Sequence, residues 1–171
     1  ITRVVEVHPL PDAGFTIAPN DSVCLNTLMT FDDTTNTSTG AVIYNIWDFG
    51  DGSPQDTGIS VSHTYAATGT YDVYLYILNE NSCTDTAMQQ VVINTLPACD
   101  FTMTPNDTNC TLETVYFDAI DTSGTTIVDW AWDFDDGNFA NGQNVTNSFA
   151  LQGDYDVMLV ATNANGCTDT T

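Results

Sequence analysis

Two histidines and five cysteines carry the readiest chemistry in this chain, and neither set has a catalytic spacing. His8 stands beside Pro9, and His63 reads as the start of a strand. No Gly-x-Ser-x-Gly nucleophile turn and no His-Glu-x-x-His zinc motif occurs. With 23 Asp and Glu, some carboxylates must lie close by number alone, so proximity is no pointer to glycoside hydrolysis. Cys24, Cys83, Cys99, Cys110 and Cys167 include no Cys-x-x-Cys step and no tight Cys/His cluster. That argues against zinc and for disulfides formed in an oxidising, extracellular setting. The expectation is a protein that is not an enzyme.

The elements that must position these residues are strands. Thr, Asn, Asp, Val, Gly and Tyr dominate while Lys and Arg together number one, a strand and turn composition. Net charge is −22, which excludes neutralising nucleic-acid phosphates or docking on an anionic membrane, and no apolar run is long enough to insert into one. At 42% hydrophobic residues the 171-residue chain can still build cores.

Self-similarity sets the organisation. Leu10-Pro11, Phe15-Thr16, Pro19-Asn20-Asp21 and Cys24 return 86 positions on as Leu96-Pro97, Phe101-Thr102, Pro105-Asn106-Asp107 and Cys110. Trp47-Asp48-Phe49-Gly50-Asp51-Gly52 returns 85 on as Trp132-Asp133-Phe134-Asp135-Asp136-Gly137. Gly69-Thr70-Tyr71-Asp72-Val73 and Cys83-Thr84-Asp85-Thr86 return 84 on as Gly153-Asp154-Tyr155-Asp156-Val157 and Cys167-Thr168-Asp169-Thr170. Alternation over 27–31 and 71–77, and the apolar run 41–47, predict short strands separated by turn clusters. Two all-β sandwiches in series result.

The ordered trio Trp-Asp-Phe-Gly-Asp-Gly, Ser62-His63-Thr64-Tyr65 and Gly69-Thr70-Tyr71-Asp72-Val73 closely resembles the PKD domain, an immunoglobulin-like sandwich of surface proteins. The second copy departs at Asn147-Ser148-Phe149 and at Asp135, positions therefore not chemically essential. The added cysteines and the Cys-Thr-Asp-Thr phrase resemble PKD repeats of giant secreted adhesins and filaments of gliding bacteria. The triplets at Ser22, Thr34, Thr86 and Thr170, each preceded by Asp, resemble the O-glycosylation signal of the same bacteria.

Several residues carry two readings. Trp47 and Trp132 should be buried, Phe49 and Phe134 inward, and Asp48 and Asp133 bonded to their own turn amides. The competing reading makes Asp48, Asp51, Asp133, Asp135 and Asp136 weak Ca²⁺ ligands, with linker acids Asp12 and Asp100 as further oxygen donors. Otherwise the acid excess is a solvated surface that keeps an extracellular polymer soluble. Tyr71 and Tyr155 resemble the corner tyrosine of such sandwiches. Repeat equivalence pairs Cys24 with Cys83 and Cys110 with Cys167, each bridge closing its own domain, and leaves Cys99 as a buried or free thiol or an intermolecular one.

The expected domain plan is residues 1–8 as the final strand of a preceding repeat, 9–11 linker, 12–95 the first domain, 96–99 linker, and 100–171 a second domain lacking its final strand. Val4-Val5 laid on Val91-Val92, with Leu10-Pro11 following as Leu96-Pro97 does, puts the opening segment in that strand's place, and the offsets 86 and 85 sum to the chain length. Covalent continuation and donor-strand exchange between subunits both satisfy it. Prolines 9, 11 and 97 should make the joined domains a semi-rigid rod. The functional expectation is an adhesive repeat of an extracellular filament or cell-surface stalk, partnered by neighbouring copies of itself and by a surface polysaccharide or protein. The alternative is an accessory carbohydrate- or protein-binding module of a secreted hydrolase, for which Trp130, in place of Asn45, is the aromatic to test.

Overall fold

The computed structural model describes residues 2–171, with the side chain of Thr39 left aside. The chain divides into a first unit ending at Asn94 and a second over Thr95–Thr171. Apart from one short 3-10 turn at Thr37–Thr39, the regular structure is all strand.

In the first unit, β1 (Phe15–Ala18), β3 (Met29–Asp33) and β6 (Ser60–His63) form one sheet in the order β1-β3-β6. The second sheet runs β2-β8-β7-β4-β5, from β2 (Ser22–Cys24), β8 (Thr84–Asn94), β7 (Gly69–Asn79), β4 (Val42–Asp48) and β5 (Asp56–Thr57). All pairings are antiparallel except β2 with β8, which is parallel. Strand β7 shows why the sequence folds this way. Val73, Leu75, Ile77 and Asn79 are buried while Asp72 and Tyr76, at the alternate positions, face out, the two-residue period of a half-buried strand. Phe15, Phe31, Trp47, Phe49, Val91 and Ile93 complete that core. Burying each such side chain contributes about 1.5–3 kcal/mol.

The second unit repeats the plan with fewer strands. One sheet is β13-β10-β9, from β9 (Cys99–Thr104), β10 (Val115–Asp121) and β13 (Asn144–Asn147). The other is β12-β11-β14-β15, from β11 (Ile127–Asp133), β12 (Phe139–Asn141), β14 (Met158–Asn163) and β15 (Thr168–Thr170). Val115, Phe117, Trp132, Phe134 and Leu159 form its core. Where β8 has 11 residues, β15 has three, and among the described residues no strand matches β2.

Two readings shift against this frame. His63 ends β6 rather than beginning a strand. Cys99, placed in a linker by the sequence, is the first residue of β9, and its side chain packs against the second core. Residues 2–8 carry no regular structure, and Val4, Val5 and Val7 are exposed.

Candidate functional site

The repeated Trp-Asp-Phe segment is the place where buried and titratable groups meet in both units. Trp47 and Trp132 are buried, and each indole donates to a loop carbonyl, Trp47 Nε1 to Gly58 O at 2.8 Å and Trp132 Nε1 to Gly142 O at 2.9 Å. Each tryptophan thereby pins the edge loop of its sheet. Asp48 accepts from Gly50 N and Asp133 from Asp135 N, both at 3.0 Å, so these carboxylates close their own turns as expected.

Beside the turn, His63 lies flat on Phe49, ring centroids 4.1 Å apart, with Nε2 2.7 Å from Asp51 Oδ2. Burial pushes the Asp51 carboxyl up, but hydrogen bonds from Ser53 and the His63 bond and charge outweigh it and hold it below its usual value. In the second unit Asn147 Nδ2 donates to Asp136 Oδ2 at 2.9 Å, and Asn138 adds a backbone and a side-chain donor. The same balance follows, with burial raising the Asp136 carboxyl and Asn147 and Asn138 lowering it further. His63 and Asn147 are thus one device, a nitrogen donor that anchors the acidic turn. Histidine chemistry is not what the position requires, since an amide does the same work.

The tyrosines are also anchors. Tyr71 Oη donates to Ala67 O and Tyr155 Oη to Leu151 O, both at 2.9 Å, which bears out the corner-tyrosine resemblance. Sequence reading passed over Tyr65, whose buried hydroxyl donates to Phe49 O at 3.0 Å. Burial, then the negative charge of Asp51, drive its phenol pKa upward.

Each of the five acids named as Ca²⁺ ligands accepts a backbone N–H. Asp51 accepts from Ser53 N, Asp136 from Asn138 N, and Asp135 from Asp156 N. Among the described residues no group of three or more His, Cys, Asp or Glu gathers to hold a metal ion. Linker acid Asp12 bridges to Asn36, and Asp100 lies in β9 bonding its neighbour's amide. The hydroxyl-bearing residues of the glycosylation triplets, Ser22, Thr34, Thr86 and Thr170, are all exposed. Trp130, the aromatic named for a binding strip, is half-buried against the second core.

The intradomain cysteine pairing is corrected. Cys24 and Cys167 are disulfide-bonded, whereas Cys83, Cys99 and Cys110 are free thiols. The reason is strand length. Cys24 pairs in register with Asn94 at the last residue of β8, while Cys83 immediately precedes Thr84 at its first. Eleven residues of extended chain put them about 36 Å apart, and a disulfide needs Cα atoms within about 7 Å. Burial, then the nearby charge of Asp169, push the Cys99 thiol up, which keeps it protonated and slow to react.

Two buried-Trp sandwiches that share an Asp-turn, a corner tyrosine and their strand order decide the family, because the PKD domain profile matches residues 9–93 and again 94–171. The chain belongs to the PKD domain family. As a PKD tandem it is 26% identical over 138 residues to the pre-pro-metalloprotease PrtV of Vibrio cholerae serotype O1, covering 81% of this chain and 15% of that one. It therefore spans a small part of the curated relatives it matches. The solved PKD1 domain of the Vibrio cholerae protease is 24% identical, covering 51% of this chain and all of that one, with a TM-score of 0.45. Fibronectin(III)-like modules of Clostridium thermocellum CbhA match 92% of this chain and 91% of theirs at 15% identity and a TM-score of 0.50, a likeness of fold. PKD domains are non-catalytic modules. Among the described residues no helix is long and apolar enough to cross a membrane.

Proposed function

We propose that this PKD tandem is a structural repeat of an extracellular filament or cell-surface stalk, as its resemblance to adhesin repeats of gliding bacteria implies. The carrying observation is what the two copies have in common. The shared Trp, Phe and corner Tyr residues are buried or tie loops, and where the copies differ, at His63 and Asn147, the difference leaves the same anchor in place. What is kept between the copies is therefore architecture. Antiparallel ladders such as β7 with β8 would carry tension along the strands, and the partners would be further copies together with a surface polysaccharide or protein. Immunogold imaging of the native assembly tests it. Label at a regular spacing along a fibre is the expected result, and label confined to a single globular hydrolase would overturn it.

One observation favours the accessory-module reading. Tyr74 and Tyr76 stack on the outer face of β7, ring centroids 6.0 Å apart, flanked by exposed Tyr44 and Met88. Their counterparts in the second unit, Met158, Val160 and Asp129, include no aromatic ring. Such a strip suits stacking on sugar rings. Retention of the chain on a polysaccharide column, abolished by Tyr74→Ala with Tyr76→Ala, would support that role.

A further inference from the structure

Alternation along β7 sends Val73, Leu75 and Ile77 into the first core and leaves Asp72, Tyr74, Tyr76 and Leu78 in one row on the outer face. Residues opposite each other in an antiparallel ladder share a face, so Asp48 of β4 stands beside Tyr74 there, and Tyr44 beside Leu78. On the other flank Met88 of β8 lies beside Tyr74, and Gln90 beside Asp72. Tyr44, Tyr76 and Met88 are 58%, 38% and 54% exposed. The row from Leu78 to Asp72 runs about 20 Å. It is aromatic and apolar over most of that length and ends in two carboxylates.

We propose that this face binds a cationic polysaccharide, a polymer of sugars bearing free amino groups, with sugar rings on Tyr74 and Tyr76 and ammonium groups against Asp48 and Asp72. The proposal deepens the polysaccharide-binding reading of the same tyrosines and rests on it. The C–H face of a sugar ring packs on a tyrosine face, which is why the strip suits sugars at all. The same tyrosine face is the negative end of a quadrupole and attracts an ammonium within about 6 Å of the ring centre. Tyr74 therefore recognises both parts of an amino sugar, and the carboxylate of Asp48 stands beside it on the neighbouring strand.

Charge selects among the occupants. Asp48 Oδ1 accepts from Gly50 N at 3.0 Å and its Oδ2 from Gln55 Nε2 at 3.3 Å, while Asp72 Oδ1 accepts from Gln90 Nε2 at 3.0 Å. Every one of these donors is neutral, and among the described residues neither carboxylate enters an ion pair. Covering them with a neutral sugar would strip water from two charges and return only neutral donors, whereas an ammonium returns charge-assisted bonds. An anionic polysaccharide, or a second copy of this chain, would bring like charge against a net −22. The second unit keeps both carboxylates, as Asp133 and Asp156, but has Met158 and Val160 where the rings stand. On this face the rings accompany the charges in the first unit alone, so the second is a built-in control for attraction by charge without stacking.

Titration calorimetry of the intact chain with a soluble glucosamine oligomer, and with the same oligomer fully N-acetylated, tests the proposal. The amino form should bind about tenfold more tightly than the acetylated form, and the difference should shrink as salt is added. Tyr74→Met with Tyr76→Val installs the residues that the second unit carries on the same strand, so it should keep the parent's circular dichroism and every charge. It should nevertheless bind the glucosamine oligomer about tenfold more weakly. Asp48→Asn with Asp72→Asn keeps the oxygen acceptors, removes the charges and should erase the preference between the two oligomers. Equal affinity of the parent for both oligomers, lost in the tyrosine variant, would overturn the amino-sugar inference and leave the polysaccharide-binding reading standing. Unchanged binding by the tyrosine variant would mean attraction by net charge alone, and no binding of either oligomer would mean no sugar site; each of these would overturn both readings.

Discussion

Replacing Tyr65 by Phe isolates one buried hydroxyl and little else. Tyr65 is 1% exposed, its ring stacks on Tyr71 at 4.5 Å and meets His63 edge-on at 4.6 Å, and those contacts survive removal of the oxygen. What is lost is the bond to Phe49 O, the tie between the Asp-turn and the loop that joins β6 to β7. Leaving a buried carbonyl without its donor costs about 1–3 kcal/mol. For a unit of this size each kcal/mol moves Tm by about 4–8 °C, so the midpoint should fall by about 8–16 °C for a loss near ~2 kcal/mol. Scanning calorimetry of the intact chain should show one transition displaced and the other unmoved. Alkaline titration of the phenols gives an independent reading. Burial, then the charge of Asp51, hold the Tyr65 phenol above the normal range, so one of the seven tyrosines should ionise late, and that late step should vanish in the variant. The second unit carries Phe149 at the equivalent position and folds without the hydroxyl, so the effect should be confined to the first. Melting of Tyr65→Phe within about 1 °C of the parent would refute the assignment of this bond as a stabilising tie.

Further outcomes follow from the same turn and from the thiols. His63→Asn should be nearly neutral, because Asn147 already performs that anchoring in the second unit, while His63→Ala should cost about 1–3 kcal/mol by chemical denaturation. Asp51 titrates below its unfolded value of 3.8 in the folded chain, so its contribution is present above that pH and is lost as pH falls through the folded value. Acid unfolding followed by circular dichroism should accordingly start at a higher pH in His63→Ala. Gly50 has φ of +74° and a Cβ there would lie 2.5 Å from Asp72 O, so Gly50→Ala should destabilise by about 1–3 kcal/mol or more in the same assay. Alkylation without reductant should label Cys83 and Cys110 first and Cys99 last, and recover Cys24 and Cys167 only after reduction.

The sequence alone determined the repeat, the β class and most of the core. A two-residue period and a returning Trp-Asp-Phe phrase depend only on the local geometry of a strand and its turn, so Trp47, Phe49 and Val73 could be placed from the sequence, while the corner tyrosines came from the family resemblance. The bond that Tyr65 makes was out of reach, because it joins residues 16 apart across two turns whose shapes no local pattern specifies. The sequence aligned His63 with Asn147, but that both do the same anchoring work was hidden likewise, since both act through a carboxylate on another loop. The cysteines show the boundary most sharply. Repetition reveals which cysteines are equivalent, but equivalence says nothing of which end of a sandwich each occupies. That depends on the 11-residue length of β8 and its parallel register with β2, a long-range pairing that sets Cys24 and Cys83 at opposite ends. A disulfide requires proximity in space, and only the assembled sheet decides proximity.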